Sequence, residues 1–197
     1  MENALQKDLE LAIAHANNYC SQEDLEIIFT HEISEDLIHT ISKRSKDTPT
    51  LYFASVEMIK QRLKNGCYII MKGDELCGHI FAHRHEIRNH YVYERSSLWV
   101  HPKYRNNNLG LLLMNQLTKK LEKNFLISIA QEPTVHRNNV LLGMKHITLA
   151  EISPELIETL EELGKLRDEY KYKYYVNPYF ELKIEQFKKV LTRYNKN

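Results

Sequence analysis

The chain predicts an α+β fold in one domain over residues 1–197, and three observations predict it. Strand patterns at residues 67–71, 76–83 and 91–100 form a meander with helical patterns before and after it. The last of these strands stops at Pro102, and a short loop with an arginine and three consecutive asparagines then runs straight into an apolar helix pattern over 111–121. No repeat, linker or low-complexity segment interrupts the 197 residues, a length with room for one sizeable core.

Each element has its own local cause. Leu5, Leu9, Ala12, Ile13 and Ala16 recur at helical spacing, which predicts an amphipathic helix over 3–18. Residues 25–29 form a short strand pattern. Ser34 ahead of Glu35 and Asp36 opens a second helix, which ends before Pro49, because serine caps free amides and acidic residues suit the positive helix start. A third helix over 55–64 is stopped by Asn65-Gly66. Lys72-Gly73-Asp74-Glu75 makes a hairpin turn between the first two meander strands. A charged, His-rich connection over 84–90 leads to the third.

Beyond the loop, a helix is expected over 109–122, a buried strand over 125–130 and a short helix over 135–142 ended by Gly143. Residues 145–152 alternate weakly as another strand. Ser153-Pro154 starts a helix running to Leu163, and Tyr170, Tyr172 and Tyr174 alternate with lysines as a two-faced strand. Asn177-Pro178 begins a last helix over 180–193.

Composition narrows the function classes. Lys and Arg number 27 against 26 Asp and Glu, so no bulk charge draws the chain to nucleic acid, which is not expected as a partner. Cys20, Cys67 and Cys77 are an odd, scattered set that reads as reduced thiols. The polar start precedes no long apolar run, so neither a leader nor a membrane partner is expected, and the expected compartment is the cytoplasm. A monomer or homodimer is expected. His79, His83, His85 and His90 invite a metal reading, yet no Cys-x-x-Cys or His-Glu-x-x-His accompanies them. A strand bordering a polar cleft is preferred, and no metal is expected.

The strand–loop–helix order is an anion site in outline. The first amides of a helix lack internal partners and carry partial positive charge, so a loop wrapping into a helix start can cradle phosphate. Such a loop must visit positive φ to turn its amides inward, which glycine does freely and asparagine at least cost among other residues. The alternative for these residues is a surface asparagine turn beside core Leu98 and Val100.

The run from Val100 through Arg105, Asn106, Asn107, Asn108 and Leu109 to Gly110 resembles the acyl-CoA-binding motif of the GNAT (GCN5-related) N-acetyltransferase superfamily. That motif is Arg or Gln, two residues, Gly, one residue, then Gly or Ala. Arg105 and Gly110 match, whereas Asn108 stands where glycine is usual and Asn106 replaces another frequent glycine. The order of elements over about 25–152 is similar to the family order, and Gly143-Met144 resembles the Gly-Phe closing its fourth helix.

The resemblance implies a mixed, largely antiparallel sheet flanked by helices, with extra N- and C-terminal helices here. It implies acetyl-CoA as cosubstrate and an amine acceptor, small molecule or peptide. Leu98, Trp99 and Val100 would meet pantetheine through their main chain, in a gap between the strands on either side of the loop and helix. Residues Arg105 to Gly110 would hold the pyrophosphate, and Asn138 or Asn139 would bond pantetheine, with a helix N-cap as the other reading. His136 and Arg137 would reach the nucleotide phosphate. Glu94 and Ser96, two residues apart on one strand, share a face, and Glu94 is the candidate base, or else an ordinary exposed carboxylate. The tyrosine that many relatives carry on the fourth helix is missing from 135–142, which leaves Tyr93 or a tail tyrosine as candidate acid. A non-catalytic acyl-CoA-binding or interaction module is the alternative function.

Overall fold

The computed structural model describes residues 2–49, 51, 53–87, 90–151, 154, 157, 158, 161 and 171–180. The helical spacing at the start of the chain becomes α1 (Glu2–Gln22), one turn longer than the apolar pattern, and the next apolar run becomes β1 (Glu26–Thr30). Serine caps open the next two helices. Ser34 accepts the Leu37 amide at the head of α2 (Glu35–Asp47), and Ser55 accepts the Met58 amide at the head of α3 (Val56–Leu63). Gly66, at φ +86°, turns the chain out of α3 where a Cβ would lie 2.2 Å from the Phe29 ring.

The meander comes next as β2 (Cys67–Lys72), β3 (Glu75–Ile87) and β4 (His90–Val100). The expected His-rich connection over 84–90 is a correction. β3 continues to Ile87, and Arg84, His85 and Glu86 alternate exposed, buried and exposed, as strand residues do. A 3-10 turn (Pro102–Tyr104) leads through the asparagines to α4 (Leu109–Lys120), then β5 (Phe125–Ala130). Next is α5 (Pro133–Leu141), which begins two residues before the expected 135 because Pro133 occupies its first turn, where no amide bond is lost. β6 (Lys145–Ile147) is shorter than expected, since Leu149–Glu151 forms a 3-10 turn in which Glu151 takes the Thr148 amide and hydroxyl. β7 (Lys173–Val176) carries three consecutive buried residues rather than a strict alternation of faces. The expected helix over 153–163 and most of that over 180–193 lie outside the described residues.

The seven strands run in the order β1-β2-β3-β4-β5-β7-β6, and the pairs β1–β2, β2–β3, β5–β7 and β6–β7 are antiparallel. This is the mixed, largely antiparallel α+β sheet the sequence predicts. The chain divides into two compact units, Met1–Arg84 with Arg95–Lys120, and His85–Glu94 with Leu121–Asn197. In the first unit, Ile38 and Ile41 of α2 and Ile59 and Leu63 of α3 pack on Cys67, Ile69, Leu76 and Phe81 of the sheet. In the second, Val92, Ile127, Ile147, Tyr174, Val176 and Phe180 form the core. No helix among the described residues is long and apolar enough to cross a membrane.

Asn177 organises the second unit. At 1% exposure, its Oδ1 accepts the amides of Leu126 and Phe180, and its Nδ2 donates to the Asn124 carbonyl at 3.0 Å. Residues 178–180 are helical, so Asn177 both caps that helix start and ties it to β5. Asn177→Ala leaves several buried polar groups unsatisfied, and a loss of about 2–4 kcal/mol is expected in denaturant unfolding of the second unit. A loss under about 0.5 kcal/mol would contradict this role.

Candidate acyl-CoA site

The loop after β4 takes the shape that the sequence argument requires. Tyr104, fully buried, anchors it, and Asn106 and Asn108 adopt left-handed φ of 66° and 58°. The Asn107 amide group donates back to the Arg105 carbonyl at 3.1 Å, and Arg105 Nε donates to the Val100 carbonyl at 3.0 Å. The loop is therefore tied both to itself and to the strand end. The Asn108 carbonyl accepts from Leu112 at 2.9 Å, so the helix opens there with the amides of Leu109, Gly110 and Leu111 at its unpaired end. A Cβ added to Gly110 would meet nothing nearer than Leu98 Cδ2 and Val100 Cγ2, both at 3.9 Å. Protein packing does not demand glycine at that point, which leaves the helix start open to a close-approaching group.

Leu98 and Val100 thus face the start of α4, while Trp99 turns the other way and is 9% exposed. The Arg44 guanidinium lies 4.0 Å over the Trp99 ring, and His79 stacks on it at 5.8 Å with 17° between the planes. Gly78 lets β3 lie close to this strand, since a Cβ there would come 3.2 Å from the Trp99 carbonyl oxygen. The apolar alternative for Leu98 and Val100 and the anion-loop reading therefore share one geometry: the two side chains support the helix start that the loop leaves open.

Glu94 and Ser96 fare differently. Glu94 is 6% exposed rather than an exposed strand-end carboxylate, and its Oε2 lies 2.9 Å from His85 Nε2 across the β3–β4 hairpin. Arg95 is buried too, donating to Thr118 Oγ1 at 2.8 Å. Two residues later, Ser97 stands at φ +53° inside the strand. Ser96 Oγ is buried with no hydrogen-bond partner among the described residues.

Asn138 and Asn139 lie in the second half of α5 and not at its start, so the N-cap reading is corrected, Glu132 holding that position. Asn139, fully buried, donates to Ser128 Oγ at 3.2 Å, and Asn138 is 8% exposed. His136 sits 3.4 Å from the Tyr175 hydroxyl, and burial lowers its pKa. Burial raises all three thiols, Cys67 to about 12, so none is an activated nucleophile.

Two contributors escaped the sequence reading, Arg62 and Ser97, and His85 entered it only as a metal ligand. His85 is the partner of Glu94, and its signal was the exposed–buried–exposed alternation hidden by charged neighbours. Arg62 is 1% exposed on the core face of α3 and donates to Ser97 Oγ at 2.6 Å. Its signal was helical periodicity, which places it beside Ile59 and Leu63. Ser97 gave none. His79, weighed only as a metal ligand, is a buried neutral ring whose nitrogens have no well-formed hydrogen bond among the described residues. Burial drives its pKa from 6.5 to about 3, the nearby Ser97 backbone offsetting only part of that.

The sign of the consequence comes from linkage. Between pH 6.5 and about 3 the unfolded chain carries a proton on His79 that the folded chain refuses. Stability is therefore full above pH 6.5 and declines as pH falls, by up to about 1.4 kcal/mol per pH unit from this group. Replacing His79 with phenylalanine should flatten the stability–pH curve between pH 6.5 and 4 relative to the parent. Parallel curves would show that His79 titrates freely.

The comparisons with known proteins fall on this geometry. Residues 30–140, more than half the chain, match the sequence profile described as the Acetyltransferase (GNAT) family. By sequence, no curated protein matches significantly. Among solved structures, N-acetylglutamate synthase from Neisseria gonorrhoeae, complexed with coenzyme A and N-acetyl-glutamate, is similar with a TM-score of 0.58 at 14% identity. That similarity covers 77% of this chain and 35% of that one, so this chain spans about a third of it. Arabidopsis thaliana NAA60 in complex with acetyl-CoA gives 0.54 at 12% identity over 77% of this chain and 97% of that one. Arabidopsis thaliana Naa50 in complex with the bisubstrate analogue CoA-Ac-MVNAL gives 0.53 at 12% identity over 76% and 96%.

Proposed function

The chain belongs to the Acetyltransferase (GNAT) family, and from that premise we propose that it transfers an acetyl or related acyl group from acetyl-CoA to a primary amine by direct attack. The observation that carries the donor assignment is the loop itself. Two left-handed asparagines turn it into a helix start where Gly110 leaves room for a close-approaching group. In this reading, residues Arg105 to Gly110 hold the pyrophosphate through the open amides of the helix. Leu98, Trp99 and Val100 take the pantetheine arm through their main chain, and Asn138 adds a side-chain contact to it. The acetyl-CoA in the NAA60 structure and the coenzyme A in the synthase structure support the choice of donor.

The chemistry asks for a neutral amine in line with the thioester carbonyl. The amine nitrogen bonds to the carbonyl carbon, the C–S bond breaks, and coenzyme A leaves as a thiolate that is protonated to the thiol. The nitrogen sheds one proton, and Glu94 is the base assigned to receive it. Its hydrogen bond to His85 orients the carboxylate. Ser96 supplies a hydroxyl near the same stretch of strand. An amine-bearing small molecule or peptide is the acceptor class, in keeping with the ligands of the synthase and Naa50 structures. No resident metal, nucleic acid or membrane enters the scheme, and the working form is a monomer or homodimer.

One observation favours a second reading, an acyl-CoA-binding module without turnover: α5, Pro133–Leu141, carries no tyrosine to serve as acid toward the thiolate. Thiol release from acetyl-CoA across an amine panel separates the two. Release with at least one amine is expected, whereas saturable binding with no release on any amine would favour the module. Gly110→Glu should weaken acetyl-CoA binding by about a hundredfold, because a carboxylate would meet the pyrophosphate charge. Unchanged affinity would remove the loop from the donor site. Glu94→Gln should lower kcat roughly a hundredfold while leaving acetyl-CoA affinity near the parent value. A parent-like kcat would exclude Glu94 as the base.

A further inference from the structure

Ser97 is the only residue inside a strand with left-handed φ among the described residues, and it is neither glycine nor asparagine. A left-handed residue in a strand inserts a bulge and re-aims the residues after it. The consequence is local and visible. After Ser97, Leu98 and Val100 face the open start of α4, and Trp99 faces Arg44 and His79. A slip by one residue would exchange these faces, putting the indole against Gly110.

The serine is held from three directions. Arg62 of α3 donates from Nη1 to its hydroxyl at 2.6 Å, a direct side-chain link from the helix to the strand. His79 of β3 packs beside its backbone as an uncharged ring. Two residues before it, Arg95 fixes the strand to α4 through Thr118, whose own hydroxyl donates to the Met114 carbonyl at 2.7 Å. Arg62 is 1% exposed, and taking a guanidinium out of water carries a desolvation cost. Helical periodicity places it with Ile59 and Leu63 on the buried face of α3, where an apolar side chain of similar volume would pack without a charge to bury. A guanidinium kept there and aimed at the one left-handed strand residue indicates a task other than stability.

We propose that Arg62 is a positioning residue for the acyl donor: it fixes the Ser97 bulge and thereby the path and facing of the main chain at Leu98, Trp99 and Val100. The inference rests on the reading of this stretch as the donor site. Arg62 acts through Ser97 and need not touch the donor.

The test is acetyl-CoA titration of the full-length protein by calorimetry, with thermal unfolding on the same samples. Arg62→Met keeps the volume and removes the donor. Ser97→Gly removes the hydroxyl while easing the positive φ. Arg62→Lys keeps a charge with shorter reach. Expected are an unfolding midpoint at or above the parent for Arg62→Met, an affinity lower by about tenfold for Arg62→Met and Ser97→Gly, and part of that loss restored in Arg62→Lys. A purely structural role would lower the midpoint and leave the affinity of the folded fraction unchanged. Parent-level affinity in folded Arg62→Met overturns the proposal. If that variant does not fold, parent-level affinity in both Ser97→Gly and Arg62→Lys overturns it. Should the parent itself show no saturable binding, the donor reading falls and this inference falls with it; parent binding matched by every variant removes this inference alone.

Discussion

A β-strand shows the same faces along its whole length unless one residue leaves the extended conformation. In β4 that residue is Ser97, and the fold on either side of it serves different ends. Before it, consecutive Glu94 and Arg95 are both buried, one bonded to His85 and the other to Thr118. After it, Leu98 and Val100 lie by the start of α4, and Trp99 lies between Arg44 and a neutral histidine. The αL conformation costs on the order of 1–2 kcal/mol for a residue with a Cβ, so it persists because neighbours over-determine it.

Two buried polar groups of the first unit lie beside that residue. Arg62 and His79 both lie at 1% exposure next to the bulge. Neither strengthens the core as leucine would. Desolvation keeps His79 neutral, which avoids a second buried cation near Arg62 and Arg44. A charged imidazole there would be repelled by both, so the low pKa and the arginines are one arrangement seen from two sides.

Much of this was legible before the structure. Ser34 as a cap, the helix beginning near residue 55, Gly66 as a stop, the Lys72–Glu75 turn and β5 at 125–130 each came from a local rule that tertiary packing did not override. So did the strand–loop–helix that carries the candidate site, because proline, asparagines and an apolar run act over a few residues. What failed depended on partners far along the chain. The β3 extension stayed hidden because His85, a residue usually exposed, fills a core-facing place only when Glu94 answers it. Nothing about serine in Ser97 announces a left-handed turn, and the partner of its hydroxyl, Arg62, is 35 residues away. The start of α5 was missed because Pro133 was counted with the loop instead of the first turn.

The asparagines of the loop bear on when its order is established. Glycine samples many more backbone states than asparagine in an unfolded chain, so a glycine loop surrenders more freedom when it sets. Here the Asn107 amide group bonds the Arg105 carbonyl, and Arg105 bonds the strand end. Under the proposed donor reading, an anion at the helix start would meet a loop already tied to itself and to the strand. Such a site discriminates by shape more than by yielding, and it captures ligand with little further loss of loop entropy.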